Sequence, residues 1–441
     1  MLEYADPNAV PNDWRTRQPG CAIWCIIAIP RVILLIISYG LLYIFSPLRP
    51  NTQWTYTQAL RTQLIKTAFI IIREIGFTQS LTLEAGDTGD KWVTINPAAA
   101  SAYRGPFASN QNVKPEVIGG TWYPDVPPSP KQQSDGCDND DDNNVVVLSF
   151  HSGSFLWLTG RPEDSGDVAE MTNEALGPGT RSFWPQYRLV GDKKTLTGYP
   201  APMQDAITAY IYLVKDLGIS PRRIVLAGDS SGATTALALV RYLGLFNTLA
   251  PPQNADVESG FDLASLPLPR ACLMFSPSLE YCLEGDKSAI LRNRNCKTDY
   301  VDAPLMAWGA AAIAPPEIVR LDDPYLSPAL YPFATPVALF VQAGGAEVLC
   351  DSVRSAVERY RAIPGNVIEH LEVPDTPHDV WLPYQELSTL FATDFFKHIF
   401  GGTWEPILRN HIVLMQCHLA RIGYVKSGHG ARAKQVLSRP G

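Results

Sequence analysis

The sequence predicts an α/β fold: a mostly parallel central sheet flanked by helices. Short apolar β-type runs recur along the chain, at Val145–Phe150, Ile224–Ala227, Ala271–Phe275, Val337–Gln342 and the alternating Val367–Val373. Strands of this kind separated by helical stretches pair in parallel. One of them, Ile224–Ala227, breaks into a run of helix formers, Ala233–Leu245, through Gly228-Asp229-Ser230-Ser231-Gly232. With 441 residues, 46% hydrophobic and 18% charged, the chain can bury a large core, and folds of this class run long as one unit. The net charge of −8 speaks against nucleic acid as the main partner. The eight cysteines form no C-x-x-C pair and no zinc-like His/Cys spacing, so neither a disulfide framework nor a metal is expected. Cys272, Cys282 and Cys296 are near enough in sequence for one bridge.

After an N-terminal tail, residues 1–20, the stretch Cys21–Phe45 is nearly all apolar and is interrupted by Pro30 and Arg31. As a helix it would reach about 37 Å, enough for a bilayer core of about 30 Å. Arg31 near its centre costs about 2.5–3.5 kcal/mol, and the aliphatic and Phe side chains offset it with about 4–8 kcal/mol. The length and late start, with no A-x-A-like site, argue against a cleaved signal peptide. The expectation is a single-pass membrane anchor, placed in the endoplasmic reticulum; a helical hairpin or an interfacial anchor broken at Pro30 is the alternative. The absence of an N-x-S/T sequon is a weak argument against a glycosylated luminal domain.

Within residues 52–110, Leu60, Leu64, Ala68, Ile71, Ile72 and Ile75 recur at helical spacing; the expectation is a helical cap region, and an ordinary surface helix packed on the core is equally compatible. Gly119–Pro124 then opens the sheet of a catalytic domain expected over 111–400. The acidic, Asn-rich run 135–144 is a solvated loop without EF-hand spacing. Residues 246–270, rich in Pro, Asn and Ala, form another loop, and 401–441 form a basic C-terminal tail with one apolar stretch, Ile412–Ile422.

The junction at Ser230 carries the chemistry. A serine at a sharp strand-to-helix turn is a nucleophile elbow, which lifts the hydroxyl clear of the sheet and aims a helix N-terminus at the site. G-x-S-x-G alone arises by chance with a probability on the order of 0.1 in a chain this long, so the strand–turn–helix setting is what gives it weight. A serine needs a base, and the base an orienting acid. Among the seven histidines, His378 stands in a turn-rich stretch, Pro374–Asp379, just after the strand Val367–Val373. A loop at a strand's C-terminal end can bring it to Ser230. His370 lies inside that strand, His151 belongs to an upstream loop, His398 falls in a late helical run, and His411, His418 and His429 are in the tail.

Glu347 follows the strand Val337–Gln342 and is the preferred acid. Asp351, four residues on, shares a helical face with it and would support it; either acid could instead merely cap the helix. The strand Val145–Phe150 runs into His151-Ser152-Gly153-Ser154-Phe155, whose backbone N–H groups, with that of Ser231, suit an oxyanion hole.

These motifs resemble the hormone-sensitive-lipase branch of the α/β-hydrolase fold, with its arylacetamide- and steryl-deacetylase-like serine esterases, in its fungal type. His151–Phe155 is similar to that branch's H-G-G-G-F/W loop and Gly228–Gly232 to G-D-S-A-G. Tyr187-Arg188-Leu189, Pro200–Ala206, Phe275-Ser276-Pro277 and Glu347–Asp351 resemble its Y-R-L, P-A-x-x-x-D-A, S-P and D-P-L-x-D segments, and His378 falls where the family places its histidine. The resemblance covers roughly residues 120–400. It implies a triad of Ser230, His378 and Glu347, oxyanion donors at Gly153, Ser154 and Ser231, no cofactor and a small-molecule ester as partner. Two departures stand out. Ser152 and Ser154 replace glycines, with strain expected at Ser152 if that position needs a positive φ, and Glu347 replaces the commoner Asp. The expected activity is hydrolysis of a small or lipophilic ester. The rivals are a tailoring hydrolase or condensation catalyst of a fungal natural-product pathway, and a catalytically silent receptor, from which the presence of His378 departs.

Overall fold

The structure, a computed structural model, describes residues 14–16, 18–110, 112–128, 144–190, 198–249, 266–314 and 319–379. The acidic run before Asn144, most of the 246–270 loop, the stretch holding His398 and the tail 401–441 lie outside the described residues.

Two helices come first. Helix α1 (Gly20–Leu42) runs unbroken through Pro30, so the hairpin alternative does not hold. Its large side chains face outward: Ile26, Leu34 and Leu41 are each more than 60% exposed. Helix α2 (Tyr56–Glu74) begins at a capping box in which Thr55 and Gln58 satisfy each other's backbone N–H groups. It packs back along α1. Arg31, halfway along the apolar helix, meets Glu74 at 3.4 Å, and Tyr39 and Tyr43 of α1 close over Trp54, Ala59 and Ala346.

Among the described residues eight strands, numbered along the chain, form one sheet with the spatial order 1-2-4-3-5-6-7-8. The first, β1 (Trp92–Ile95), lies inside the stretch read as a helical cap. It pairs antiparallel with β2 (Ile118–Tyr123), so β1, not the Gly119 segment, opens the sheet. Next along the sheet stands β4 (Arg181–Gln186), antiparallel to β2 and parallel to β3 (Val146–Phe150). From β3 onward the pairing is parallel through β5 (Ile224–Asp229), β6 (Ala271–Phe275), β7 (Ala338–Gly344) and β8 (Ile368–Val373).

Both faces of this parallel part are covered, which is why its strands read as continuous apolar runs. Leu148, Leu226, Met274 and Val341 join one cluster with α4 (Ala201–Ile211) and α5 (Ser231–Leu245). Val147, Val225, Leu273 and Phe340 feed a second cluster against α3 (Pro162–Leu176). After β6 come α6 (Tyr281–Gly285), α7 (Lys287–Arg292) and α8 (Ala303–Ile313); α9 (Cys350–Arg361) joins β7 to β8. Cys272, Cys282 and Cys296 are free thiols, so the bridge considered for them is not formed.

Candidate active site

All the parallel strands deliver their C-terminal ends to one edge, where crevices form in such sheets. There the loops after β3, β5, β6, β7 and β8 surround a cleft of about 640 Å³, counted out to open solvent. Ser230, His378, Gly153 and Ser154 all line it.

Ser230 sits between β5 and α5 with φ 51° and ψ −117°, a left-handed setting that costs a non-glycine residue energy and marks the sharp elbow. Its neighbours hold it there: Ser230 donates its N–H to the Phe275 carbonyl at 2.9 Å, and its own carbonyl accepts from Ser278 at 3.2 Å. Gly232 lets α5 approach β3, since a Cβ there would lie 2.0 Å from the Phe150 carbonyl oxygen. Ser231 is the first residue of α5 and has no intrahelical partner for its N–H.

In the loop after β3 the positive φ values fall on Gly153, Ser154, Phe155 and Leu158, not on Ser152. The strain expected at Ser152 is therefore displaced to Ser154 (φ 54°). Gly153 is irreplaceable in place, because a Cβ would stand 2.1 Å from the Trp157 carbonyl oxygen. Among the described residues, the N–H groups of Gly153, Ser154 and Ser231 make no hydrogen bond to another protein group. His151, at the start of this loop, is structural. It stacks on Tyr187 at 4.1 Å, Tyr187 donates its hydroxyl to the His151 carbonyl at 2.7 Å, and burial lowers its pKa to about 4.

Glu347 lies in the turn between β7 and α9, fully buried, and His378 follows β8. His378 Nδ1 stands 3.3 Å from Glu347 Oε2, an ion-pair distance. The ring is not aligned for a hydrogen bond, so Nδ1 and both Glu347 oxygens lack a hydrogen-bond partner among the described residues. Contacts of this kind often tighten only when substrate is bound. Asp351 is elsewhere. Its side chain is half exposed and pairs with Arg294 at 3.0 Å and Arg354 at 2.8 Å. Glu347 precedes α9 instead of belonging to it, so the two acids share no helical face and Asp351 does not support Glu347.

A third acid, unread in the sequence, completes the surroundings. Asp299 is fully buried; its Oδ1 accepts the backbone N–H of His378 at 3.1 Å and its Oδ2 that of Val348 at 2.7 Å. Asn295 donates to the Glu347 carbonyl at 2.8 Å, and Thr298 to that of Ala346 at 2.8 Å. The segment 293–300 thus braces both the acid turn and the histidine loop. No local pattern announces that role, because its partners lie about fifty to eighty residues further along the chain.

Burial alone would lower the pKa of His378; Glu347, Asp299 and Asp379 outweigh it and lift it to about 9. Burial pushes the Glu347 and Asp299 carboxyls upward against the pull of the ring. The proton shared by this buried cluster resides on the imidazole, since one ring faces several acids. Asp229 is likewise raised by burial, against the pull of Ser152, Asp379 and the His378 ring.

The remaining motifs are scaffolding. Arg188 grips buried Asp205 through Nε and Nη2 and donates its backbone N–H to the same carboxyl at 2.7 Å, tying the loop after β4 to α4.

Residues 147–382 match the family described as the alpha/beta hydrolase fold. The chain belongs to that family. Among curated proteins it is similar to an acetyl-hydrolase of Streptomyces hygroscopicus, 28% identical over 236 residues, covering 54% of this chain and 68% of the relative. It is also similar to lipase 2 of Moraxella sp. (strain TA144), 36% identical over 153 residues but spanning only 32% of this chain and 33% of that one. Among solved structures, an esterase from the bacterial hormone-sensitive lipase family aligns at 20% identity and TM-score 0.48, over 84% of this chain and 98% of the other. In this α/β hydrolase, Ser230, Glu347 and His378 stand after strands β5, β7 and β8.

Proposed function

We propose that the chain is a serine esterase of the hormone-sensitive-lipase-like branch, acting on small or lipophilic esters. Ser230 Oγ attacks the ester carbonyl while His378 accepts its proton; the ring then returns that proton to the departing alcohol. Glu347 holds the imidazole in position and balances its positive charge. The N–H groups of Gly153, Ser154 and Ser231 receive the oxyanion, helped by the N-terminus of α5. Water admitted to the cleft repeats the sequence on the acyl-enzyme and frees Ser230. One observation carries this reading: Ser230 and His378 line one cleft, and Glu347 is buried 3.3 Å behind the ring. The acetyl-hydrolase and lipase among its relatives support an ester as substrate.

We assign α1 as a membrane anchor, on its length of 23 residues, mean hydropathy of 2.5 and outward-facing side chains.

The test is a fluorophosphonate probe. It should modify the chain once, at Ser230, as located by peptide mass spectrometry; a folded chain left unmodified would overturn the reading.

A further inference from the structure

The cleft wall is mostly apolar, built by Phe69 of α2, Trp157, Leu158 and the Leu305–Ala310 stretch of α8. Among its polar lining residues, Glu284 and Tyr300 each present a buried atom without a hydrogen-bond partner among the described residues. Glu284 of α6 is 5% exposed and lines the cleft, and its Oε1 has no hydrogen-bond partner among the described residues. Tyr300 is 1% exposed and lines the same cleft, with its hydroxyl equally unpartnered. An unpaired buried polar atom costs roughly 1–3 kcal/mol, so a folded chain rarely keeps one without a use. None of the acylation chemistry calls on Glu284.

We infer that Glu284 is a specificity-determining residue that hydrogen-bonds a hydroxyl on a neutral substrate, so that the esterase prefers hydroxyl-bearing esters to purely alkyl ones. The inference rests on the serine-esterase reading above. Three observations choose the chemistry. Among the described residues no Lys or Arg lines the cleft, while Glu284 and Asp379 do, so away from the His378 ring their carboxyls oppose an anionic acyl or alcohol part. Ser278 lines the same cleft and lowers the Glu284 pKa against the effect of burial, while Oε1 has no hydrogen-bond partner among the described residues and is left for a ligand. Burial raises the Glu284 pKa to about 7, which lets the carboxyl serve a neutral hydroxyl as donor or acceptor near neutrality; an ammonium group would need it ionised and would itself be stripped of water.

The experiment uses the full chain and matched pairs in which a methyl replaces a hydroxyl. For the acyl part the pair is 4-nitrophenyl 6-hydroxyhexanoate and 4-nitrophenyl heptanoate; for the alcohol part it is 4-hydroxybutyl acetate and pentyl acetate. A choline ester serves as the cationic probe. In at least one pair the hydroxyl ester should have the higher kcat/KM by about tenfold or more. That preference should vanish in Glu284→Leu and shrink in Glu284→Gln, whose amide still donates and accepts. A wild-type chain indifferent to the hydroxyl in both pairs overturns the inference, as does a preference that survives Glu284→Leu, or a choline ester preferred to both hydroxyl esters. Should Glu284→Leu fail to fold, the wild-type pairs and Glu284→Gln decide. Fluorophosphonate labelling of Ser230 separates the two readings: labelling with no hydroxyl preference sinks only the role of Glu284, while absence of labelling sinks the esterase itself.

Discussion

Asp299 Oδ1 accepts the backbone N–H of His378 at 3.1 Å, so one buried carboxyl fixes where the backbone of that histidine stands. Its other oxygen holds the backbone N–H of Val348, the residue after Glu347. One side chain therefore sets the spacing of both.

Asp299→Asn is expected to lower kcat by about 10–100-fold with little change in KM, as a positioning residue should. The amide still reaches one backbone N–H but presents a donor to the other. Because Asp299 also raises the His378 pKa, the midpoint of the pH–kcat/KM profile should fall. An unchanged midpoint in the folded variant would assign Asp299 a purely structural role.

Ser230→Ala should abolish hydrolysis of short 4-nitrophenyl esters, with a loss of about 10⁴-fold or more if the triad acts as a unit. Circular dichroism should match the parent. Near-parental turnover would reject Ser230 as nucleophile.

Glu347→Gln and Asp351→Asn should differ sharply. The first leaves the imidazolium without its buried counter-charge and is expected to cost about 10³–10⁴-fold in kcat. The second removes a partner from exposed pairs with Arg294 and Arg354, worth about 0–1 kcal/mol to stability, and should leave kcat within about twofold. Steady-state kinetics of both variants rank them, and the reverse order would move the acid to Asp351.

The pH profile follows from the direction of the His378 shift. Only the neutral ring accepts the serine proton, so kcat/KM for a neutral ester should climb with pH through about 9. The stabilisation drawn from the imidazolium runs the other way. It is complete below the unfolded value of about 6.5, and it is lost as pH rises through about 9, so this group's contribution to Tm declines over that window. In Glu347→Gln the charge that lifts the pKa is gone while burial still lowers it, and the activity midpoint should move down. A profile that is flat between pH 7 and 10 contradicts both statements.

The anchor is tested by extraction. The full chain should sediment with membranes and resist carbonate, whereas a chain starting at Asn51 should be more soluble and still label with fluorophosphonate. Asn51 stays because its amide reaches Asp375 at 2.8 Å, and Trp54 donates to the Asp375 carbonyl, both in the loop that carries His378. Complete release of the full chain by carbonate would leave an interfacial contact in place of an embedded helix.

The parallel strands were legible because burial on both faces makes each an uninterrupted apolar run; Ala271–Phe275 is found as read. The elbow was legible partly for a local reason: Gly228 answers the backbone of Gly232 four residues on, although Gly232 itself answers Phe150 far up the chain. β4 was missed because Arg181–Gln186 mixes polar residues with Pro185, and its strand character comes from pairing with β2 and β3. Trp92–Ile95 went unread within an apparently helical region for the same reason. Glu347 is preferred to Asp351 for its place at the strand's end, but the helical face expected to join the two is not formed, because the turn that ends β7 separates a buried carboxyl from a half-exposed one. Asp299 and Glu284 carried no sequence signal at all, because what they do depends on loops that meet only in the folded chain.

Arg31 and Glu74 join the middle of the apolar helix to the end of α2, the helix that also places Phe69 in the cleft wall. Half exposed on the arginine side, that pair is worth at most about 1 kcal/mol, so its loss would leave α2 standing on its capping box and Phe69 in the wall.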